Sequence, residues 1–375
     1  MNKITLSIAL LVSILVISCK KDDETKTPLV VPTTYDTTGF SANVETERNL
    51  RTQLSNFAAY IRKGDNVANK LASDSLNYYF TIGTPSLEST TVSYYTNLIE
   101  NTWFANIVTA SQNSFDITTT PENTVGGVYI NRLLDSKGKE MLQETEKGMF
   151  AATLYNHLVT LSQGTVTAAT VDRMLYIYGA HGSFPNTNTA ANTTTPDTYI
   201  ALYTARRDRS ANATGLYRQI KAEFIKLKAA VNAGSDYNQE KNEAISSIKL
   251  LVEKALLATV VNYMNSAKTK INKDTPTDAE KIGAIHDLSE CVGFVHGFKG
   301  IAQSNRKITD AQINQLLTYL NAPAGGSSTM YLFATEPATT IDGLDDARDY
   351  IQEIYGFTDA EMTDFNFDWI STEGR

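Results

Sequence analysis

Histidine is scarce in this chain, four in 375 residues, and one of the four stands a helical turn from an acid. His286 and Glu290 are four residues apart, which on a helix projects both from one face. That pattern supports metal chemistry: both side chains ligate one ion, or the carboxylate orients the imidazole that does. Two ligands do not complete a site, so Asp or Glu from another helix would be needed, as in bundle metal sites. The plain alternative is a hydrogen-bonded pair that joins two helices. His296 lies about 80° around an ideal helix from His286, so the two are not expected to share a site.

Arg206 and Arg207, with Arg209, form a second group able to hold an anionic ligand. They are equally suited to pairing with helix-end carbonyls and carboxylates. His157 reads as a packing residue, His181 as a loop histidine, and Cys291 as a small core hydrophobe. Nineteen tyrosines suit either stacking on sugars and other flat ligands or packing between helices with the hydroxyl at the rim. There is no nucleophile elbow, phosphate loop or His-Glu-x-x-His, so no catalytic residue is assigned. Net charge is −8 without a basic stripe, which argues against nucleic acid as a partner.

These residues need helices to position them, and the sequence supplies helical periods. Leu50, Leu54, Phe57 and Ile61 recur on one face, with Gly64 just beyond. Leu216, Ile220, Phe224, Leu227 and Val231 repeat the pattern up to Gly234. Residues 240–271 lack Gly and Pro and predict one long helix. Residues 277–301 carry Ile282, Ile285, Leu288, Val292 and Val295 on a further stripe. Thr309 with Gln312, and Thr358 with Glu361, predict capping boxes, and 345–355 predicts a helix ended by Gly356. The first half is less regular, with helices predicted over 66–80, 88–110, 138–161 and 165–178. Strand signals are confined to Gly126–Ile130 and Met330–Phe333. The fold class expected is all-α, long antiparallel helices in bundles with little or no sheet. The helical domain is placed at 35–375, as one body or two packed halves (35–180 and 197–375) separated by the polar break from Gly179 to Pro196.

The N-terminus carries an address. Lys3 precedes a largely apolar run from Ile4 to Ile17, shorter than the roughly 20 residues a membrane span needs and suited to a signal peptide. It ends in Val16-Ile17-Ser18-Cys19, which resembles the lipobox of bacterial lipoproteins. Residues 1–18 are therefore expected to be a lipoprotein signal peptide, Cys19 the lipidation site, and 19–34 a lipidated tether. The charged run Lys20–Glu24 resembles export signals of surface lipoproteins and equally suits a solubilising spacer. With Cys19 lipidated, Cys291 is left alone and no internal disulfide can form.

Four stretches together resemble a family of bacterial lipoproteins classed as domain of unknown function 4856, itself similar in style to imelysin-like proteins. They are Glu47-Arg48-Asn49-Leu50 through Ile61, and Gly138-Lys139-Glu140 through Met149. The others are Tyr203 to Asp208 (YTARRD), and His286-Asp287-Leu288-Ser289-Glu290 with Gly293-Phe294-Val295. The resemblance implies an all-helical, imelysin-like body on the cell envelope. Two departures stand out. Relatives carry a His- and acid-rich stretch where this chain reads VDRMLYIY at 171–178 and keeps only Asp172. Imelysin-like proteins show Gly-x-His-x-x-Glu, whereas here Glu follows His286 only at position 290.

The function expected is that of an outer-membrane or cell-surface lipoprotein, anchored through Cys19, that binds iron, a metal complex or haem without transforming it. The ligand residues expected are His286, Glu290, Arg206 and Arg207, with His286 and Glu290 also the expected metal ligands. The cofactor, if any, is iron or another metal ion. The alternative is a glycan-binding or partner-docking lipoprotein acting with an outer-membrane transporter. An imelysin-type metallopeptidase ranks third, since it needs two ligands, a base and an open metal position.

Overall fold

The longest helix among the described residues is buried on most sides at its centre. Leu251, Val252, Ala255, Leu256, Leu257, Ala258, Val260 and Val261 are all buried, the pattern of a helix surrounded by others. A computed structural model describes residues 26–118, 125–188 and 193–375, so Cys19 and the segment 1–18 lie outside the described residues. No described helix is long and apolar enough to cross a membrane.

The helices of the first half include α1 (Glu45–Arg62) and α2 (Ser73–Thr81). They are followed by α3 (Met141–Met149), α4 (Asn156–Gln163) and α5 (Ala168–Tyr178). The second half brings α6 (Tyr199–Arg206), α7 (Leu216–Ala233) and α8 (Asn238–Ile271). After these come α9 (Asp278–His296), α10 (Asp310–Tyr319) and α11 (Ile341–Tyr355). The all-α reading holds: the sheet among the described residues is one two-stranded ribbon. At 34 residues and about 1.5 Å per residue, α8 is a strut roughly 50 Å long. Helices α6, α7, α9 and α11 pack on it, and α9 packs in turn on α3. One hydrophobic core runs through both halves, from Tyr35 to Ile370.

Local chemistry explains most boundaries. The apolar face of α1 is buried at Leu50, Leu54, Phe57 and Ile61, and α7 stops at Gly234, whose φ of 98° favours glycine. The capping boxes at Thr309/Gln312 and Thr358/Glu361 are both formed, as are others at Thr277/Glu280 and Thr167/Thr170.

Three expectations need correction. Residues 66–72 are not helical, because side chains of Asn66 and Asn69 bond the local backbone as a turn. The stretches 93–110 and 141–163 each carry a π-helical insert, Ile99–Trp103 and Phe150–Tyr155. The strand β1 (Gly127–Tyr129) pairs with β2 (Arg132–Leu134) through a two-residue turn, Ile130 and Asn131 both having positive φ. Residues 330–333 take no part and lead into the short helix Leu332–Thr335.

Residues 26–34 run without regular structure along the body and are mostly exposed. Lys26 Nζ pairs with Glu240 Oε1 at 2.6 Å, and the Tyr237 hydroxyl donates to the Thr27 carbonyl at 3.0 Å. Tyr35 is buried, its hydroxyl donating to Asp172 Oδ1 at 2.5 Å. Asp172, the acid kept within VDRMLYIY, also receives Lys228 Nζ at 2.6 Å and Asn43 Nδ2 at 2.7 Å.

Candidate functional site

Glycine brings the two halves into contact at α3 and α9. A Cβ at Gly293 would stand 2.8 Å from the Gln143 carbonyl oxygen, and one at Gly297 2.1 Å from that of Gly148. With the backbones this close, the polar side chains beside the seam meet each other.

His286 lies on α9 with its side chain about a fifth exposed, at 22%. Its Nδ1 meets Glu140 Oε2 at 2.7 Å, and Glu140 is wholly buried just before α3. The second oxygen of Glu140 accepts from Gln143 Nε2 at 3.2 Å and from Arg132 Nη1 at 3.3 Å, while its backbone N–H donates to Ser289 Oγ at 2.9 Å. On the other side, His286 Nε2 faces Glu290 Oε1 at 3.6 Å. Lys147 Nζ lies 3.8 Å from that same oxygen and 2.9 Å from Glu146 Oε2. Arg62 closes the row, 3.6 Å from Glu146. Acidic and basic side chains therefore alternate from Arg132 to Arg62, and the imidazole stands between two carboxylates.

Glu290 is the least satisfied member. Its Oε2 makes no hydrogen bond of good geometry, and burial raises its pKa although Lys147, His286 and a contact from the Tyr263 hydroxyl oppose the rise. Burial also works against ionised Glu140, but the His286 contact, Arg132 and Gln143 outweigh it and hold that carboxyl below its usual range. Burial would lower Lys147, yet Tyr203, Glu290 and Glu146 keep it a cation. Aromatic rings enclose this end: Lys147 Nζ stands 5.5 Å from the ring centres of both Phe150 and Tyr203, and Tyr203 packs edge-on to Phe294.

One turn along α3 a similar pairing recurs. Glu144 receives Lys139 Nζ at 2.5 Å and faces His296 Nδ1 at 3.1 Å, whose Nε2 meets the Tyr94 hydroxyl at 3.0 Å. Burial would raise Glu144, but Lys139 and His296 bring it down to about 2. The two histidines thus serve separate glutamates, as their angular separation on α9 predicts.

His286 and Glu290 share one helical face as predicted. Their acidic neighbour from another helix region is Glu140, which the sequence reasoning did not single out. It contacts Nδ1 and so sits behind the imidazole, leaving Nε2 for a metal. Two ligands at about 2.0–2.2 Å from one ion bring their donor atoms within a few tenths of an ångström of the 3.6 Å seen here. Among the described residues no three His, Cys, Asp or Glu side chains converge as a metal set. A bound ion would have to take its remaining donors from elsewhere.

Arg206 and Arg207 lie at the end of α6, where Arg206 shares the Tyr203 ring with Lys147. Arg206 Nε is 3.5 Å from Asp368 Oδ2 and its guanidinium is 5.3 Å from the Tyr203 ring centre. Arg207 is buried and donates to the Phe365 carbonyl at 3.4 Å, and burial lowers its pKa to about 10. Arg209 pairs with Asp364 at 3.3 Å. All three tie the C-terminal segment to α6. Of the remaining candidates, His157 Nε2 meets buried Glu47 at 3.0 Å, His181 contacts Ser183, and the Cys291 thiol is buried against the Val260 carbonyl. Lys147, Tyr203 and Tyr263 escaped sequence reasoning. Only the segments Gly138–Met149 and YTARRD, singled out for their resemblance, pointed near two of them.

Residues 173–358 match the model of the family described as Domain of unknown function (DUF4856). No curated protein and no solved structure matches the chain.

Proposed function

We propose, from the premise that this chain belongs over residues 173–358 to the DUF4856 family, that it is an envelope lipoprotein which binds a metal complex without transforming it. The anchor is the lipid on Cys19, placing the body on the outer membrane at its periplasmic face or the cell surface. The lipobox at residues 16–19 supports this localisation. The observation that carries the binding reading is the His286–Glu290 turn. One imidazole nitrogen is fixed by buried Glu140, and the other faces the Glu290 carboxylate, which Lys147 at 3.8 Å and the Tyr263 hydroxyl hold loosely.

Two protein donors favour cargo that arrives with donors of its own. Ferric citrate or haem would accept His286 Nε2 and Glu290 as added ligands, whereas a bare ion would remain under-coordinated. Binding at Nε2 requires the neutral imidazole.

Thermal unfolding of the mature lipoprotein with ferric citrate, haem or zinc chloride tests this. A complex present at a hundred times its Kd adds about 2.7 kcal/mol of stability. Ferric citrate or haem should raise the midpoint of the parent, and His286→Ala and Glu290→Gln should lose the rise. Equal responses in the parent and both folded variants, or none in the parent, would remove the site.

A second reading, docking to a glycan or an outer-membrane transporter, draws on a different surface. Tyr60 and Tyr79 have ring centres 5.3 Å apart, and Tyr78 and Tyr79 5.4 Å apart, with Tyr78 55% exposed. Glycan binding that survives His286→Ala but fails in Tyr78→Ala would favour it.

A further inference from the structure

A cavity of about 500 Å³ lies between the extended N-terminal segment and the first turns of α7, well within the range that holds small organic ligands. Val31 and Pro32 form one wall, Arg218, Lys221 and Ile225 the other, and Phe184 and Asn186 one end. Residues 218, 221, 222 and 225 share a face of α7 because they are three, four and seven apart.

The chemistry of this cavity is two-sided. Lys221 makes no ion pair among the described residues, and its Nζ stands 5.8 Å from the ring centre of buried Phe184. Arg218 donates to the Ser210 carbonyl and attracts Asp208 from beyond ion-pair distance. The backbone N–H groups of Tyr217 and Arg218 are already taken by Asp208 Oδ2, at 3.0 and 3.4 Å. The helix start is thus satisfied internally, and the two side chains carry the available positive charge. Asn186 lines the same end of the cavity as Phe184. Its backbone has a φ of 54°, and that of Phe184 a φ of 47°. The loop that delivers both to the cavity is held in this left-handed form by Arg375 Nη1 on the Asn186 carbonyl and the Tyr217 hydroxyl on the Asn186 N–H.

We infer that this cavity is a binding site for a small organic acid with a flat apolar body. The ring would lie against Phe184, Val31, Pro32 and Ile225, its carboxylate would pair with Lys221 and Arg218, and a polar substituent would meet Asn186. An acidic sugar would match the cations but leave the apolar walls uncovered. A neutral aromatic would leave both cations without a counter-charge. The site is separate from the His286–Glu290 turn and does not depend on it.

Isothermal titration of the mature lipoprotein in detergent with 2-naphthoate, indole-3-acetate, indole-3-acetamide and glucuronate tests the assignment. Saturable one-to-one binding of at least one aromatic carboxylate is expected, at least tenfold tighter than the amide or glucuronate. Lys221→Ala should weaken it at least tenfold, and Ala222→Trp, which fills the cavity from an exposed position, should abolish it. His286→Ala should leave it unchanged. Unfolding midpoints of the variants establish that they are folded. The inference fails if neither aromatic carboxylate binds saturably, if the folded variants bind like the parent, or if the amide or glucuronate binds as tightly.

Discussion

A carboxylate removed from water needs partners for both oxygens, and Glu47 and Glu290 differ in how far they have them. Glu47 is fully buried, accepts three bonds from Arg173 at 2.7–2.9 Å and faces His157 at 3.0 Å. Burial alone would raise its pKa, but His157 and Arg173 bring it below the usual range. Glu290 has Lys147 at 3.8 Å, a contact with the Tyr263 hydroxyl, and a raised pKa caused by burial. The same substitution should therefore separate them. Glu47→Gln puts an amide N–H₂ against the Arg173 fork and should cost about 3 kcal/mol, toward the low end for breaking a buried pair because Arg173 reaches water. Glu290→Gln removes a poorly solvated charge and should cost less than about 1 kcal/mol. Urea unfolding of both variants measures this, and equal large losses would make Glu290 a structural residue.

At the scale of elements, the seam between α3 and α9 is set by glycine. Gly297→Ala drives a methyl into the Gly148 carbonyl and should cost about 1–3 kcal/mol through overpacking. Gly283→Ala, on the same helix, meets only the flexible Lys270 side chain at 3.4 Å. It should be neutral or stabilising by up to about 1 kcal/mol through helix propensity. Denaturation midpoints of the pair check whether close approach, rather than loss of glycine as such, is responsible. The two helices themselves differ in how legible they were. The stripe of α9 and the Pro- and Gly-free length of α8 are strong local signals, so three of the four ends fell within two residues of Asp278–His296 and Asn238–Ile271, while the stretch expected to reach 301 overran α9 by five residues. The π inserts at 99–103 and 150–155 leave no such signal, because one extra residue in a turn shifts the stripe without breaking it. The partnership of Glu140 with His286 was still less legible. It spans 146 residues and depends on which helices pack, which periodicity does not specify. The pairing of His286 with Glu290, four residues apart, needed only helix geometry.

For the molecule as a whole, the buried carboxyl groups divide into two sets that respond to pH in opposite directions. Burial raises Asp197 to about 7 and both Asp208 and Asp65 to about 6, against bonds and cations that work the other way. The folded state of such a group holds its proton at pH values where the unfolded chain has released it. Stability therefore falls as pH rises from about 4 through the folded pKa. Glu144 behaves oppositely: its contribution is present above the ordinary glutamate range and is lost as pH falls toward about 2. Together these place the stability maximum of these four groups below about pH 4 and predict a decline from there toward pH 8. Asp197 should dominate that decline, since it has the highest of the three values. It accepts from the Tyr217 hydroxyl at 2.9 Å and the Thr187 N–H at 3.1 Å, fastening the 179–197 break onto α7. Asp197→Asn keeps an acceptor there but cannot ionise. Urea midpoints measured from pH 3 to 8 should show a flatter alkaline limb in the variant and an unchanged acid limb. An alkaline limb as steep as the parent's would mean that Asp197 is already ionised in the folded protein at pH 5. The burial of this seam would then be less costly to its charge than the geometry implies.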